Sequence, residues 1–168
     1  LKVNKATVLC AGLGTRLMPI TLYLPKPLVP VLNVPNLLYT LFILKSAGID
    51  DIMINLHHLP DAITQLLKDG KQWGVKISYS NEPVLLGTGG GVKNVESFFA
   101  GSPFVLLNCD FVTDIDIRDV IEKHFENHSK ATMVLLDDDT LKKDYPTIGV
   151  NTANHLCSTP KLQKSVPV

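Results

Sequence analysis

KATVLCAGLGTR, residues 5–16, joins an apolar run to a glycine-rich turn and decides the fold. After Lys5 the run is apolar or β-branched until it stops at Gly12, which predicts a strand over residues 5–11 that is buried on both faces. In the turn, Gly12 and Gly14 let backbone N–H groups approach an anion closely, and Arg16 supplies a forked cation for phosphate oxygens. The stretch therefore predicts an anion-binding loop at the carboxyl end of a buried strand. A plain tight turn is the alternative.

Predicted strands and helices alternate outward from this stretch. Strands are expected at residues 51–56, 75–79, 104–108 and 131–136, and helices at 35–48, 60–68, 92–98 and 117–127. Between residues 12 and 35, five prolines exclude a regular helix or central strand, which predicts a long ordered loop. The alternation predicts an α/β fold, a three-layer Rossmann-like open and mostly parallel sheet that binds ligands at the carboxyl ends of its strands.

Composition excludes several classes of function. The chain carries 16 basic and 16 acidic side chains, and this net charge of +0 gives no electrostatic attraction to nucleic acid. No apolar run approaches the ~20 residues that span a bilayer, so no membrane partner is expected. The three cysteines share no CxxC spacing, so neither a disulfide framework nor a zinc site is predicted, and a reducing cytoplasm fits.

The length of 168 residues predicts one globular domain over residues 1–168. Leu1 stands where an initiator methionine would, and no helix stop signal precedes Val168. We therefore expect part of the domain, its C-terminal part above all, to be missing from this sequence.

Lys26 is a further candidate site residue, because Pro25 and Pro27 hold it in a stiff segment that can aim its ammonium group. Together with the glycine loop, it completes the stretch GLGTRLMPITLYLPKP at residues 12–27. This stretch resembles the signature GxGTRxxPxTxxxPKP of the nucleotidyltransferases, or nucleotide-sugar pyrophosphorylases, at every fixed position. The resemblance covers about residues 5–150.

The resemblance implies roles for the residues of this stretch and for one later aspartate. The glycine loop and Arg16 would hold the triphosphate of an NTP, and Lys26 would reach the α-phosphate and the incoming sugar phosphate. Asp110 follows the predicted strand 104–108 and would bind Mg²⁺. The loop residues assigned to the nucleotide are Ala11, Gly12, Gly14 and Thr15.

A second glycine cluster, at residues 86–91, bears on the base of the nucleotide. Family members with a GLAQA-type stretch read a pyrimidine through a glutamine, and Gly90 stands at that place here. The cluster is more similar to the GTAG-type loops of mannose-1-phosphate guanylyltransferases and of some sugar-acid uridylyltransferases, which favours GTP, then UTP. Gly87, Thr88 and Gly90 are therefore also assigned to the nucleotide. Glu82 resembles the acidic residue of those loops, and a solvated loop glutamate is the alternative.

The resemblance implies an enzyme that transfers NMP from an NTP to a sugar-1-phosphate, giving an NDP-sugar and pyrophosphate with Mg²⁺ as cofactor. It also allows a homo-oligomer. A non-catalytic, nucleotide-sugar-binding regulatory subunit is the alternative. An NAD(P)-dependent oxidoreductase is disfavoured, because the fingerprint GxGxxG fails at Leu17.

Overall fold

Four parallel strands form the central sheet of this computed structural model, which describes residues 3–136, 148–152 and 156–158. The strands, in chain order, are β1 (Lys5–Leu9), β2 (Pro30–Val31), β3 (Val34–Pro35), β4 (Asp51–Leu56), β5 (Lys76–Asn81), β6 (Val105–Asn108), β7 (Gly149–Val150) and β8 (Leu156–Ser158). The helices are α1 (Asn36–Ser46), α2 (Pro60–Leu67), α3 (Gly87–Asn94), α4 (Glu96–Phe99) and α5 (Ile117–Glu126). The order across the central sheet is β5-β4-β1-β6, and every neighbouring pair is parallel.

The register of the sheet places the carboxyl ends of its strands side by side. Leu9 at the end of β1 pairs with Asn55 of β4 on one side and with Asn108 of β6 on the other. The segments that follow these strands therefore start side by side. The predicted α/β, Rossmann-like fold with an open parallel sheet is confirmed in this arrangement.

The core lies between the sheet and its helices. Because β1 is central, its Ala6 and Val8 are fully buried, as an apolar strand covered on both faces requires. Helix α1 starts directly after Pro35 and buries a row of leucines against the sheet. The largest fully buried side chains from these elements include Leu37, Leu41, Leu44, Ile52, Ile54 and Ile63.

Two predicted elements differ from the structure. The helix expected at residues 92–98 starts earlier, at Gly87, and breaks after Asn94 into the short α4. The expected strand at residues 131–136 is wrong: this segment has no regular structure and its side chains are exposed. A strand needs a neighbour for its backbone hydrogen bonds, and no described strand pairs with residues 131–136.

The chain divides into two compact units, residues 1–130 and residues 131–168. The first contains the central sheet and all five helices named above. The second contains, among its described residues, the antiparallel pair of β7 and β8. No helix within the described ranges is long and apolar enough to cross a membrane.

Candidate active site

A cleft of about 360 Å³ opens at the carboxyl ends of the central strands, within the first unit. This volume falls in the range of small-molecule sites. Every site residue predicted from the sequence lines the cleft except Gly90. The lining comprises residues of the first glycine loop, the proline-framed lysine, the end of β5 with the start of α3, and the end of β6: Ala11, Gly12, Gly14, Thr15, Arg16, Lys26, Glu82, Gly87, Thr88 and Asp110.

The first glycine loop folds back on itself after β1. Gly14 has a φ of 67°, in the left-handed region, and its carbonyl accepts hydrogen bonds from Leu17 N–H at 2.9 Å and from Thr21 Oγ1 at 3.0 Å. A Cβ at Gly14 would lie 2.8 Å from Thr21 Cγ2, so only glycine fits there. By contrast, a Cβ at Gly12 would meet no atom within 4 Å. The loop is therefore closely packed at Gly14 and open at Gly12.

Thr21 is held from a second side. His58 lies in the loop after β4 and donates its Nε2–H to the Thr21 carbonyl at 2.6 Å. Its neighbour His57 donates Nδ1–H to the Glu82 carbonyl at 2.7 Å. Both imidazoles are thus used to hold backbone around the cleft.

Lys26 and Asp110 meet inside the cleft. Lys26 Nζ lies 2.5 Å from Asp110 Oδ2, with 26% of the lysine side chain and 35% of the aspartate side chain exposed. Pro25 and Pro27, which flank the lysine, are buried, and Leu28 N–H donates to the Pro25 carbonyl at 2.8 Å. The proline frame predicted from the sequence therefore fixes the backbone of Lys26, and the ammonium group is directed to the end of β6.

Arg16 is exposed at the mouth of the cleft, in a single turn of 3₁₀ helix over Thr15–Leu17. Its guanidinium makes no hydrogen bond or ion pair with any residue that the structure describes. A guanidinium with all of its donors unused is suited to bind phosphate oxygens in pairs.

Glu82 is buried, with 3% of its surface exposed, so the alternative of a solvated loop glutamate is wrong. Its Oε1 accepts the Nδ2–H of Asn55 at 2.8 Å, and its Oε2 accepts the N–H of Leu86 at 3.0 Å. Asn55 in turn accepts the N–H of Cys10 on its Oδ1 at 2.7 Å. These three hydrogen bonds connect the end of β1 to the start of α3.

The second glycine cluster is helical, as part of α3. Gly87 and Thr88 at its start line the cleft, whereas Gly90 faces Leu86, whose Cβ would lie 2.9 Å from a Cβ at position 90. Gly91 packs against the hydrogen-bonded side chains of Asn55 and Glu82. A Cβ at position 91 would lie 2.9 Å from both Asn55 Nδ2 and Glu82 Oε1.

The nucleotidyl transferase family model matches residues 5–158. The chain belongs to this family. A UTP–glucose-1-phosphate uridylyltransferase of Synechocystis is 37% identical over 141 residues, which are 77% of this chain and 36% of that protein. A mannose-1-phosphate guanyltransferase of Emericella nidulans is 39% identical over 154 residues, which are 90% of this chain and 42% of that protein. The chain thus spans about two fifths of the length of these relatives.

Solved structures of other proteins share the fold. A putative glucose-1-phosphate thymidylyltransferase from Bacillus anthracis, in complex with sucrose, superposes with a TM-score of 0.78 at 29% identity, over 88% of this chain and 60% of that one. HddC from Yersinia pseudotuberculosis, complexed with GMP-PN, gives a TM-score of 0.72 at 26% identity, over 93% of this chain and 68% of that one.

Sequence reasoning missed several residues of this nucleotidyl transferase cleft. Asn55 is the main one, and its signal was a single amide side chain near the end of the otherwise apolar run at residues 52–56. Asn108 lines the cleft from the equivalent place on β6. Cys10 and Cys109 also line it and are buried free thiols. Burial raises the pKa of the Cys10 thiol well above its usual range, and its contact with Cys109 raises it further.

Proposed function

We propose that this chain carries the nucleotide-binding part of a sugar-1-phosphate nucleotidyltransferase. The enzyme would transfer NMP from an NTP to a sugar-1-phosphate and release pyrophosphate. The observation that supports this most is the meeting of Lys26 with Asp110 beside the unpaired Arg16 and the glycine loop. Membership of the family and the names of the relatives agree with it.

In the proposed reaction, an oxygen of the sugar phosphate attacks the α-phosphorus of the NTP in line with the leaving group. A new P–O bond forms as the bond between the α-phosphorus and the bridging oxygen breaks, and pyrophosphate leaves with that electron pair. The protein's task is then to position the phosphates and to neutralise their charge. In this proposal the backbone N–H groups around Gly12 and the Arg16 guanidinium hold the triphosphate, and Lys26 holds the α-phosphate; all of them line the cleft.

Asp110 is the residue that would hold Mg²⁺. It supplies one carboxylate, and Mg²⁺ is commonly bound by one or two carboxylates together with substrate phosphates. The described residues contain no group of three or more His, Cys, Asp or Glu side chains that could hold a metal ion. When bound, Mg²⁺ would neutralise charge on the phosphates. Lys26 would then exchange its partner, from the Asp110 carboxylate to a phosphate oxygen.

GTP is the proposed nucleotide, followed by UTP. The start of α3 presents Gly87 and Thr88 to the cleft, and a Cβ at Gly87 would meet no atom within 4 Å. Open space there leaves room for a purine. We also propose that the enzyme acts in the cytoplasm, with which the free thiols of Cys10 and Cys109 agree. Residues 1–168 would form one domain with an incomplete sugar side.

Pyrophosphate release by the full-length protein tests the proposal. GTP, UTP, dTTP and CTP are each combined with Mg²⁺ and a panel of sugar-1-phosphates. We expect release with one nucleotide and one sugar phosphate, and a loss of about 100-fold or more in Lys26→Ala. Lys93→Ala is the matched control, because Lys93 pairs with Glu96 on the surface. Nucleotide binding without pyrophosphate release in the whole panel would instead support the regulatory subunit.

A further inference from the structure

Asn55 lies between the two glycine segments of the cleft and contacts both. Its Oδ1 accepts the N–H of Cys10, two residues before Gly12, at 2.7 Å. Its Nδ2–H donates to Glu82, four residues before Leu86, at 2.8 Å. Only 3% of Asn55 is exposed, and a buried amide is costly unless its polar atoms are satisfied. The two hydrogen bonds therefore hold Asn55 in one orientation.

Helix α3 depends on this contact. Four of its eight residues are glycine, each of which costs a helix about 1 kcal/mol relative to alanine, so its propensity alone cannot hold it. Its N-terminal end is tied to Glu82, the residue after β5, by the bond from Leu86 N–H to Glu82 Oε2. Its C-terminal end is tied to β5 by the bond from Asn94 Nδ2–H to Ser80 Oγ at 2.9 Å. Gly91 lies directly against Asn55 and Glu82.

We propose that Asn55 is a positioning residue, which fixes the phosphate loop and the start of α3 at the separation that a whole nucleotide requires. The proposal rests on the function proposed above. A ligand that touches both segments gains from their fixed separation, because binding at one then places it for the other. A ligand that touches only the phosphate loop gains nothing from it. Asn55 therefore acts on the nucleotide through Cys10 and Glu82.

The amide of Asn55 and the carboxylate of Glu82 can be exchanged between the two positions. Asn55→Asp alone sets two carboxylates against each other in a buried place, which is unfavourable. Glu82→Gln alone is also unfavourable, because the new amide has only one oxygen where two N–H donors need an acceptor. Its NH₂ group then faces either Asn55 Nδ2–H or Leu86 N–H. In the double variant, the carboxylate at position 55 accepts from Cys10 N–H and from the new amide, whose oxygen accepts from Leu86 N–H. All three hydrogen bonds are then retained.

The experiment compares the wild type, both single variants and the double variant of the full-length protein. Titrations use GTP, UTP and inorganic tripolyphosphate, each with Mg²⁺. Variants are compared by their affinity for whichever nucleotide the wild type binds more tightly. We expect each single variant to bind the nucleotide about tenfold or more weakly and tripolyphosphate less than about threefold more weakly. The double variant is expected to recover nucleotide affinity to within about threefold of wild type. Asn33→Asp introduces the same charge in the exposed turn between β2 and β3, outside the cleft, and is expected to change neither affinity.

Amide hydrogen exchange at Cys10 and Leu86 provides a second readout that needs no ligand. Both N–H groups are expected to exchange faster in the single variants and to regain protection in the double variant. Equal weakening of nucleotide and tripolyphosphate, or no recovery in the double variant, would overturn the proposal. So would single variants that bind the nucleotide as wild type does. A wild type that binds neither nucleotide would refute the proposed function. The positioning role would fall with it, even if amide hydrogen exchange showed that the hydrogen bonds of Asn55 and Glu82 are formed.

Discussion

Lys26 and Asp110, 84 positions apart in the sequence, form an ion pair of 2.5 Å inside the cleft. The lysine comes from the proline-rich loop after β1, and the aspartate comes from the end of β6. In the proposed function each contacts a different part of a bound metal–nucleotide complex, and the pair is then expected to separate when the complex binds. In the free protein each charge is instead neutralised by the other.

Removal of the lysine is expected to strengthen metal binding to the free protein and to abolish catalysis. In Lys26→Met, Asp110 loses its competing cation, so Mn²⁺ is expected to bind about two- to fivefold more tightly without nucleotide, as fits the small free energy of a partly exposed ion pair. Electron paramagnetic resonance of free Mn²⁺ measures this. Lys93→Met serves as the control, and an unchanged Mn²⁺ affinity in Lys26→Met would contradict the expectation.

Two glycines of the first loop are expected to respond differently to alanine. Gly14→Ala places a Cβ at a φ of 67° and 2.8 Å from Thr21 Cγ2, and should lower the free energy of unfolding by about 2 kcal/mol or more. Gly12→Ala should leave stability within about 0.5 kcal/mol, since its Cβ meets no atom. Its methyl group would occupy the space of the phosphates, so nucleotide affinity should fall. Urea unfolding and calorimetric titration separate the two, and nucleotide binding at wild-type strength in Gly12→Ala would refute the role of the loop.

A matched pair in α3 tests the packing of the helix on the Asn55–Glu82 contact. Gly91→Ala brings a Cβ to 2.9 Å from both polar atoms and should destabilise the protein by about 1–3 kcal/mol. Gly89→Ala meets no atom within 4 Å and should stabilise the free protein by up to about 1 kcal/mol through helix propensity. Urea midpoints give both values. Equal effects of the two substitutions would show that α3 does not pack on Asn55 and Glu82 as described.

Tyr79 makes stability depend on pH in the alkaline range. Burial, followed by the charge of Asp69, raises the pKa of Tyr79 to about 12, and its hydroxyl donates to the Lys68 carbonyl at 2.7 Å. An unfolded tyrosine ionises near pH 10, so as pH rises from about 10 to 12 the unfolded state loses its proton first and stability falls. After allowance for solvent screening, the loss is about 1 kcal/mol.

Tyr79→Phe is the variant that isolates this effect. It should be less stable than wild type by about 1 kcal/mol at pH 8.5, where the wild type keeps the hydrogen bond. The difference should shrink by pH 11, because only the wild type has lost stability through this ionisation. Urea unfolding at both pH values measures it. A difference that does not change with pH would contradict the raised pKa.

Much of the fold could be predicted from the sequence, because the spacing of apolar residues and the positions of prolines determine secondary structure locally. The strand predicted at residues 51–56 matches β4, and the helix predicted at 60–68 ends within one residue of α2. The start of α3 is not predicted, because its glycines oppose a helix. Side-chain hydrogen bonds to Glu82 and Ser80 hold its two ends, and helix propensity does not report such contacts. The burial of Glu82 depends on Asn55, which is 27 positions away, and no local pattern reports such a partner.

The sequence predicts which residues line the cleft better than it predicts how those residues contact one another. Lys26 was singled out by its flanking prolines and Asp110 by the family resemblance, and both line the cleft. Their direct pairing was not predicted, because it depends on the register that sets β1 beside β6. Asn55 was missed for the same reason: its function comes from contacts across the sheet, and an isolated asparagine in a strand gives no sign of them.

The place of β1 in the middle of the sheet has a consequence during protein synthesis. Val105 pairs with Ala6, and at about 5–20 residues per second it is made about 5–20 s after that partner. Until then one edge of β1 is open and can pair with a strand of another chain. Ribosome-bound chains halted at residue 100 should therefore aggregate on release more readily than chains halted at residue 130, where the first unit ends. The strand that leads into the first glycine loop thus keeps an unpaired edge for this interval.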